Sequence, residues 1–246
     1  MTYRKASALL PVLLLGLALV APGAWGRTYI AYHDSTEGHS TAVVVTNLGE
    51  PETSVVLTAY DSAGEEILST NVDLGSFTSE ALFLEELLEE TSGRTWGLLR
   101  AETEGRIALA IWIGAEGNWL AIENVSVQMT NARAYDYSGY WMTTNYANTS
   151  SRSTGLSLVN PYDAAVTGQI YIYDADGGAQ LTLPFDLPPY SSAFVLLSDR
   201  LDVGSSIWGM IDISCELPVL LVTEYLSASG DLIDVDLVST FYLIVQ

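Results

Sequence analysis

The chain has 246 residues, of which 49% are hydrophobic and 16% charged, so it is long enough to bury one or two hydrophobic cores. Its formal net charge is −21, from 30 acidic and 9 basic residues. A surface this acidic repels phosphates and anionic headgroups, which excludes nucleic-acid binding and disfavours electrostatic attachment to membranes. Cys215 is the only cysteine, so no intrachain disulfide forms, and its place in an alternating apolar row predicts a small buried side chain.

The first 26 residues have the pattern of a secretory signal peptide. Arg4 and Lys5 precede the apolar run "ALLPVLLLGLALV", and the small residues of "APGAWG" follow it. The apolar run is too short for a comfortable membrane span. Cleavage after Gly26 fits best; cleavage after Gly23 or Ala24, or an uncleaved anchor, are the alternatives. We therefore expect export to the periplasm, the cell surface or the medium, with seven basic residues and a net charge of −23 after cleavage.

The sequence after the predicted signal peptide contains an internal duplication. Residues 39–64 align with residues 152–177 at an offset of 113 positions without a gap. Identities continue to residue 84, at 11 of 46 positions, and after a one-residue slip Trp96-Gly97 matches Trp208-Gly209. The sequence therefore predicts copy one at 27–131, a linker at 132–139 and copy two at 140–246.

Each copy reads as short runs of alternating hydrophobicity separated by turn residues, which is typical of β-strands. In copy one the predicted strands are 28–33, 41–47, 54–60, 66–74, 95–103, 106–113 and 118–128. In copy two they are 140–145, 154–160, 167–173, 178–186, 207–215, 218–226 and 231–245. The stretch 79–90 has helical spacing, as does its weaker counterpart 192–201, and we expect one or two helical turns there. The predicted fold class is all-β: two tandem immunoglobulin-like antiparallel β-sandwich domains, each with a short helical turn.

Two stretches of copy two resemble a known family of repeats. "GLSLVNPYDAAVTGQIYIYDADG" and "LPPYSSAFVLL", followed by Trp-Gly and an apolar strand, resemble a tandem immunoglobulin-like β-sandwich repeat of exported bacterial proteins of unassigned function. The resemblance covers nearly all of 28–246 and is weaker in copy one, where "NLGEPE" replaces "NPYDAA". It implies a surface or envelope module and brings no catalytic residues.

Two stretches have the composition of metal sites. Asp174 and Asp176 in "DADG" suggest half of a calcium loop, but no further series of carboxylates follows, and copy one has "DSAG". A hairpin turn is the favoured interpretation. In "HDSTEGH", His33, Asp34 and His39 form a candidate zinc set. Copy two has no histidine at these positions, which favours a polar loop.

The aromatic stretch 134–146 is the candidate binding surface, and it contains Tyr135, Tyr137, Tyr140, Trp141 and Tyr146. Aromatic rings beside polar side chains bind sugars or partner proteins, but at the boundary of the copies they equally suit packing between domains, which we favour. Tyr171 and Tyr173 alternate away from an apolar row and are candidates for an outer aromatic face. The acidic run Glu85, Glu86, Glu89 and Glu90 suits a solvated helix face better than a glycosidase acid pair.

The sequence as a whole predicts a structural or recognition module without catalytic activity, which binds a protein partner through loops or an exposed sheet face. The alternatives are a carbohydrate-binding module that uses the aromatic stretch 135–146, and a metal-dependent hydrolase that uses His33 and His39. We expect no cofactor, a protein or glycan partner outside the cytoplasm, no nucleic acid, and no membrane span after signal cleavage.

Overall fold

A computed structural model describes residues 26–89, 95–115, 117–125, 140–201, 207–238 and 242–243. Residues 1–25 of the predicted signal peptide, the predicted linker and both Tyr135 and Tyr137 lie outside the described residues. No helix within the described ranges has the length and apolar character needed to cross a membrane.

The all-β class is confirmed. The strands of copy one are β1 (Arg27–Asp34), β2 (His39–Asn47), β3 (Thr53–Tyr60), β4 (Glu66–Leu74), β5 (Ser79–Phe83), β6 (Trp96–Thr103), β7 (Ile107–Ala115) and β8 (Asn118–Val125). Those of copy two are β9 (Tyr140–Asn148), β10 (Arg152–Val159), β11 (Val166–Asp174), β12 (Ala179–Leu187), β13 (Ser192–Leu196), β14 (Ile207–Cys215), β15 (Leu220–Ser227), β16 (Leu232–Val238) and β17 (Tyr242–Leu243).

The strands form four antiparallel sheets, two from each copy. Sheet A has the order β1-β6-β3-β4, and sheet B has the order β5-β2-β7-β8. Sheet C of copy two repeats the order of sheet A as β9-β14-β11-β12, with β17 added beside β9, and sheet D repeats that of sheet B as β13-β10-β15-β16. The two copies therefore share one topology, strand for strand.

The stretch 79–90 differs from its prediction. Ser79–Phe83 forms β5, which pairs with β2, and helix α1 covers only Leu84–Glu89. In copy two the same positions give β13 and a single 3-10 turn, Leu197–Asp199. Leu84 and Leu88, four residues apart on α1, are fully buried, which is why this short helix stays on the core. The last predicted strand, 231–245, is described as two strands, β16 and β17.

Each pair of sheets encloses a core. Val43 and Val45 of sheet B meet Leu57 of sheet A in copy one, and Leu156, Leu158 and Ile170 take the equivalent positions in copy two. Cys215 lies buried in the second core, as its alternating row predicts, and burial raises the pKa of its thiol to about 11. This thiol is unreactive at neutral pH because it stays protonated.

Sheet D is buried on both faces. Leu156, Leu158 and Leu221 pack against sheet C, whereas Val159, Val222 and Val235 belong to the core cluster of copy one. Successive residues of a strand point to opposite faces, so these two sets are the two sides of one sheet. The outer face of sheet D thus covers copy one, and we call this contact the joint.

Candidate functional site

The joint buries a hydrogen-bonded polar cluster. Tyr32, on the outer face of sheet A, hydrogen-bonds with Ser157 and Glu224 on the outer face of sheet D. The Ser157 hydroxyl donates to Glu224 Oε1 over 2.7 Å. Burial raises the pKa of the Glu224 carboxyl, and the negative charge of Asp34 acts in the same direction, whereas the Ser157 hydrogen bond opposes it. Glu224 and Asp34 are both only 6% exposed, so the joint encloses these carboxyl groups between the copies.

The predicted zinc residues do not converge on one point. His39 Nδ1 lies 2.5 Å from Asp34 Oδ2, and Asp34 Oδ1 also accepts hydrogen bonds from the amide and hydroxyl of Thr36. His33 is fully buried, and its Nε2 instead lies 3.0 Å from the Tyr60 carbonyl oxygen. Across the described ranges, no three His, Cys, Asp or Glu side chains are grouped so that they could hold a metal ion. Asp34 and His39 form an ion pair beside the joint.

The "DADG" stretch forms a hairpin turn, as predicted. Asp174 Oδ1 accepts hydrogen bonds from the amides of Asp176 and Gly178, and the backbone closes between Gly177 N and the Asp174 carbonyl oxygen. Gly177 has φ +83°, a left-handed conformation that favours glycine. Asp61 and Gly64 repeat the turn in copy one. Asp174 and its counterpart Asp61 therefore have the same role in the turns of the two copies.

The hairpin tip of copy one is part of the joint. Tyr190 of copy two stacks on Tyr60, with ring centroids 4.8 Å apart, and the Arg100 guanidinium lies 5.9 Å above the Tyr190 ring. The Ser192 amide donates a hydrogen bond to the Ser62 carbonyl oxygen over 2.9 Å. A Cβ on Gly64 would lie 2.3 Å from the Pro189 carbonyl oxygen. The hairpin tip of copy one therefore lies directly against the backbone of the copy-two turn that carries Tyr190.

The predicted aromatic cluster is divided between the core and the surface. Tyr140 and Tyr146 are buried in the core of copy two, where no ligand reaches them. Trp141 lies on the opposite, outer face of sheet C, and its ring stacks on Tyr171 with centroids 5.7 Å apart and planes 13° from parallel. Of the described members of the cluster, Trp141 alone contributes a partly exposed ring.

The outer face of sheet C is an open aromatic surface larger than the sequence predicts. The cross-strand register places Trp208 and Met210 of β14 on the same face as Trp141, and Tyr173 of β11 lies opposite Met210. Trp208 is 64% exposed and Met210 38% exposed. We define the open face of sheet C by its five apolar and aromatic members, Trp141, Tyr171, Tyr173, Trp208 and Met210.

Copy one has the same face, and there it is covered. Leu98, the counterpart of Met210, is fully buried, and Tyr60, the counterpart of Tyr173, is buried under Tyr190. Exposed contiguous apolar surface on a folded protein marks a contact site. The two copies therefore offer equivalent faces: that of copy one packs against copy two, and that of copy two leaves Trp208 and Met210 exposed among the described residues.

Sequence reasoning missed Glu224, Tyr190 and Phe77, although each leaves a signal. The run "VLLVTEYL" (219–226) is apolar in both alternating rows, which is typical of a strand buried on both faces, and Glu224 interrupts one row. Phe77 and Tyr190 are single aromatics in polar turns, "GSFTS" and "PPYSS", at the 113-residue offset. An aromatic residue repeated in a turn indicates a contact outside its own core.

No protein-family model matches the sequence, and no curated protein matches it. Among solved structures, the chain is similar to a glycosyl hydrolase family 2 member from Bacteroides cellulosilyticus DSM 14838, at 10% identity and a TM-score of 0.19. The match covers 89% of this chain and 30% of that one, so this chain spans less than a third of the length of the hydrolase. An identity and a TM-score this low define neither a fold nor a function for this chain.

Proposed function

We propose that the protein is an exported, non-catalytic binding module, and that the open face of sheet C is its binding surface for another protein. One observation carries the proposal: the equivalent face of copy one binds a β-sheet of copy two. Large apolar and aromatic side chains at the centre of a surface supply most of the affinity of protein interfaces. Trp208, Met210 and Tyr173 are such side chains.

The absence of catalysis is part of the proposal. The carboxyl groups with the clearest burial, those of Glu224 and Asp34, are enclosed in the joint and bonded to neighbouring side chains. A catalytic acid or base must reach its substrate, so groups enclosed in this way suit a structural role better.

The experiment is site-specific photocrosslinking in the cells that make the protein. A photoreactive amino acid replaces Trp208 on the open face, and in a matched control it replaces Ile233, which is also exposed but lies on the edge strand of sheet D. We expect a crosslinked polypeptide from position 208 and none from position 233. Equal labelling at both positions, or none at 208, would contradict the proposal.

Carbohydrate binding at the same face is the second candidate, because the Trp141 and Tyr171 rings are nearly parallel and lie beside a polar pair. Thr143 Oγ1 donates to Asp212 Oδ1 over 2.6 Å in the same part of the face. Sugar rings stack on aromatic faces and bond to such polar groups. Affinity electrophoresis through soluble polysaccharides tests this candidate: it requires retardation of the wild type that Trp141→Ala abolishes.

A further inference from the structure

The joint consists of two complementary surfaces, and the duplication gives each surface twice. One is a receiving surface, the outer face of sheet A with the hairpin tip 60–64. The other is a covering surface, the outer face of sheet D with the turn that carries Tyr190. Within the chain, the receiving surface of copy one meets the covering surface of copy two. Within the part of the chain that the structure describes, the receiving surface of copy two and the covering surface of copy one have no such contact.

The turn that carries Phe77 is built like the turn that carries Tyr190. Phe77 has φ 53° and Tyr190 φ 58°, and among the described residues these two are the non-glycine residues with positive φ. The Phe77 amide donates to the Gly49 carbonyl oxygen, and the Tyr190 amide donates to that of Tyr162, its counterpart. Tyr190 uses this strained conformation to stack on Tyr60. Phe77 is 65% exposed in the same conformation.

The tip of copy two matches the tip that Tyr190 contacts. Tyr173 and Gly177 are the counterparts of Tyr60 and Gly64, at the same offset. A Cβ on Gly64 would strike the backbone of copy two, whereas a Cβ on Gly177 meets nothing within 4 Å. Phe77 and Tyr173 are thus the two unused halves of the stacking pair that Tyr190 and Tyr60 form.

The flat parts of the two unused surfaces are also apolar. On the outer face of sheet B, the counterpart of sheet D, the Trp119 ring lies 5.7 Å from Trp112 and 6.2 Å from Phe83. Both Trp119 and Phe83 are exposed. The open face of sheet C supplies Trp208 and Met210 at the other end of the chain. Each unused surface therefore offers exposed aromatic and apolar side chains of the kind that protein interfaces bury.

From this repetition we propose that the protein assembles head to tail with other copies of itself. Sheet B and Phe77 of one chain cover the open face of sheet C and Tyr173 of the next, in the arrangement of the joint. The inference rests on the proposed protein-binding role of the open face and names its partner, a second copy of this chain. Such a contact joins two different surfaces, so it continues into a filament unless its rotation closes a ring.

The acidity of the chain gives the assembly a salt dependence. Every chain carries a net charge of −21 before any cleavage, so docking brings like charges together. Salt screens this repulsion, with a Debye length of about 10 Å at 0.1 M and about 3 Å at 1 M. The apolar contact itself does not weaken with salt. Assembly is therefore stronger in a salty medium.

The test is sedimentation velocity of the purified, naturally processed protein, at rising concentration and at low and high salt. We expect the weight-average sedimentation coefficient to rise with concentration, and to rise further with salt. Phe77→Asn removes the covering ring and Tyr173→Ser removes the receiving ring; each variant stays monomeric throughout. Ile233→Ser, which removes an exposed apolar side chain outside both surfaces, assembles like the wild type. Circular dichroism confirms that each variant is folded.

Mixing the two variants tests that the contact is head to tail. Phe77→Asn retains the receiving surface and Tyr173→Ser retains the covering surface, so an equimolar mixture forms one good contact and stops at dimers. A symmetric dimer that buries sheet C against sheet C would instead lose assembly in Tyr173→Ser alone, and this result overturns the proposal.

The remaining outcomes separate this inference from the proposed function. A wild-type chain that stays monomeric at every salt concentration, while position 208 crosslinks a different polypeptide, overturns self-assembly and supports the binding role. A monomeric chain without any crosslink at position 208 overturns both. A monomeric chain that is retarded by polysaccharide through Trp141 overturns both in favour of carbohydrate binding.

Discussion

Glu224 is the residue on which the pH response of the joint depends most directly. Its carboxyl group faces Tyr32, Ser157, Asp34 and His39, and burial raises its pKa. A carboxyl group whose pKa is raised by folding stabilises the folded state fully below the unfolded pKa of about 4.3, and this contribution is lost as pH rises through the folded pKa. Ionisation of Glu224 therefore weakens the joint as pH rises.

We predict that Glu224→Gln raises the free energy of unfolding at pH 8, because the glutamine amide is neutral at every pH whereas burial opposes ionisation of the Glu224 carboxyl group. At pH 5 the gain is smaller. Urea unfolding at both pH values measures the difference, with Glu216→Gln, which removes an exposed carboxylate, as the control. A gain that is equal at both pH values would show that Glu224 does not titrate with folding.

The two histidines respond to pH with opposite signs. Burial lowers the pKa of His33, so its contribution is present above the unfolded pKa of about 6.5 and is lost as pH falls. The hydrogen bond to Asp34 raises the pKa of His39, so its contribution is present below about 6.5 and is lost as pH rises. Comparing Glu224→Gln with the wild type at each pH cancels the contribution of His33, whereas that of His39 changes with the substitution because the Glu224 charge also raises the pKa of His39.

Phe77 and Tyr190 occupy equivalent positions with a left-handed backbone, so the free-energy cost of that conformation can be compared between them. This conformation costs a residue with a Cβ roughly 1–2 kcal/mol, and asparagine tolerates it better. Tyr190 offsets the cost by its contacts with Tyr60 and Arg100, whereas the exposed Phe77 makes no such stack with any of the described residues. The same substitution therefore has opposite effects at the two positions.

We expect Phe77→Asn to raise the free energy of unfolding of the monomer by about 1 kcal/mol. Tyr190→Asn lowers it, by about 1–2 kcal/mol, through lost stacking and lost cation–π contact. Chemical unfolding at dilute protein concentration measures both. If both variants lose stability equally, Phe77 has a structural role within its own chain.

At the element scale, the turn before β5 depends on one buried asparagine in each copy. Asn47 Nδ2 donates to the carbonyl oxygens of Pro51 and Gly75, and its Oδ1 accepts from the Gly49 amide. Asn160 repeats these bonds in copy two. This network explains why the asparagine is identical in the two copies while the apolar residues around it vary.

Asn47→Ala is predicted to lower the free energy of unfolding by about 2–3 kcal/mol, because it leaves buried backbone groups unpaired. Thr46→Ala, one residue earlier, removes only an exposed hydroxyl contact with Ser79 and stays within about 0.5 kcal/mol of the wild type. Urea unfolding measures the free energy of unfolding of both variants. Similar losses for both variants would rule out the network as the reason for the identity.

Period-two alternation predicted β3 and β4 to within one residue, because the side chains of each strand alternate between the core and the outer face of sheet A. It failed for β5, where "SEALF" shares the helical spacing of the following residues and cross-strand pairing with β2 decides the outcome. It also could not predict the joint. Contacts between copies depend on the rotation of one sandwich against the other, and no period in the sequence encodes that rotation.

At the scale of the whole molecule, sheet D belongs to two cores at once. Val222 packs with copy one while Leu221, its neighbour in β15, packs with copy two. Unfolding either copy exposes the apolar surface of the other, so the described parts of the two copies should unfold together. Calorimetry of the wild type is expected to show one transition.

Removing a polar anchor of the joint should divide that transition. Tyr32→Ser deletes the ring on the outer face of sheet A whose hydroxyl group interacts with Ser157 and Glu224. We expect two overlapping transitions in this variant, with the calorimetric enthalpy exceeding the van't Hoff enthalpy. A wild type that already shows two transitions would contradict a shared core.

The most direct test of the central claim, that the joint is repeated between chains, is the exchange rate of one backbone amide. At the joint the Ser192 amide donates to the Ser62 carbonyl oxygen, and the counterparts of these residues are Ser79 and Ala175. Amide hydrogen exchange is measured by NMR in dilute and in concentrated protein at high salt. We expect exchange at Ser79 to slow with concentration in the wild type and not in Tyr173→Ser. Exchange at Ser79 that is independent of concentration would contradict it.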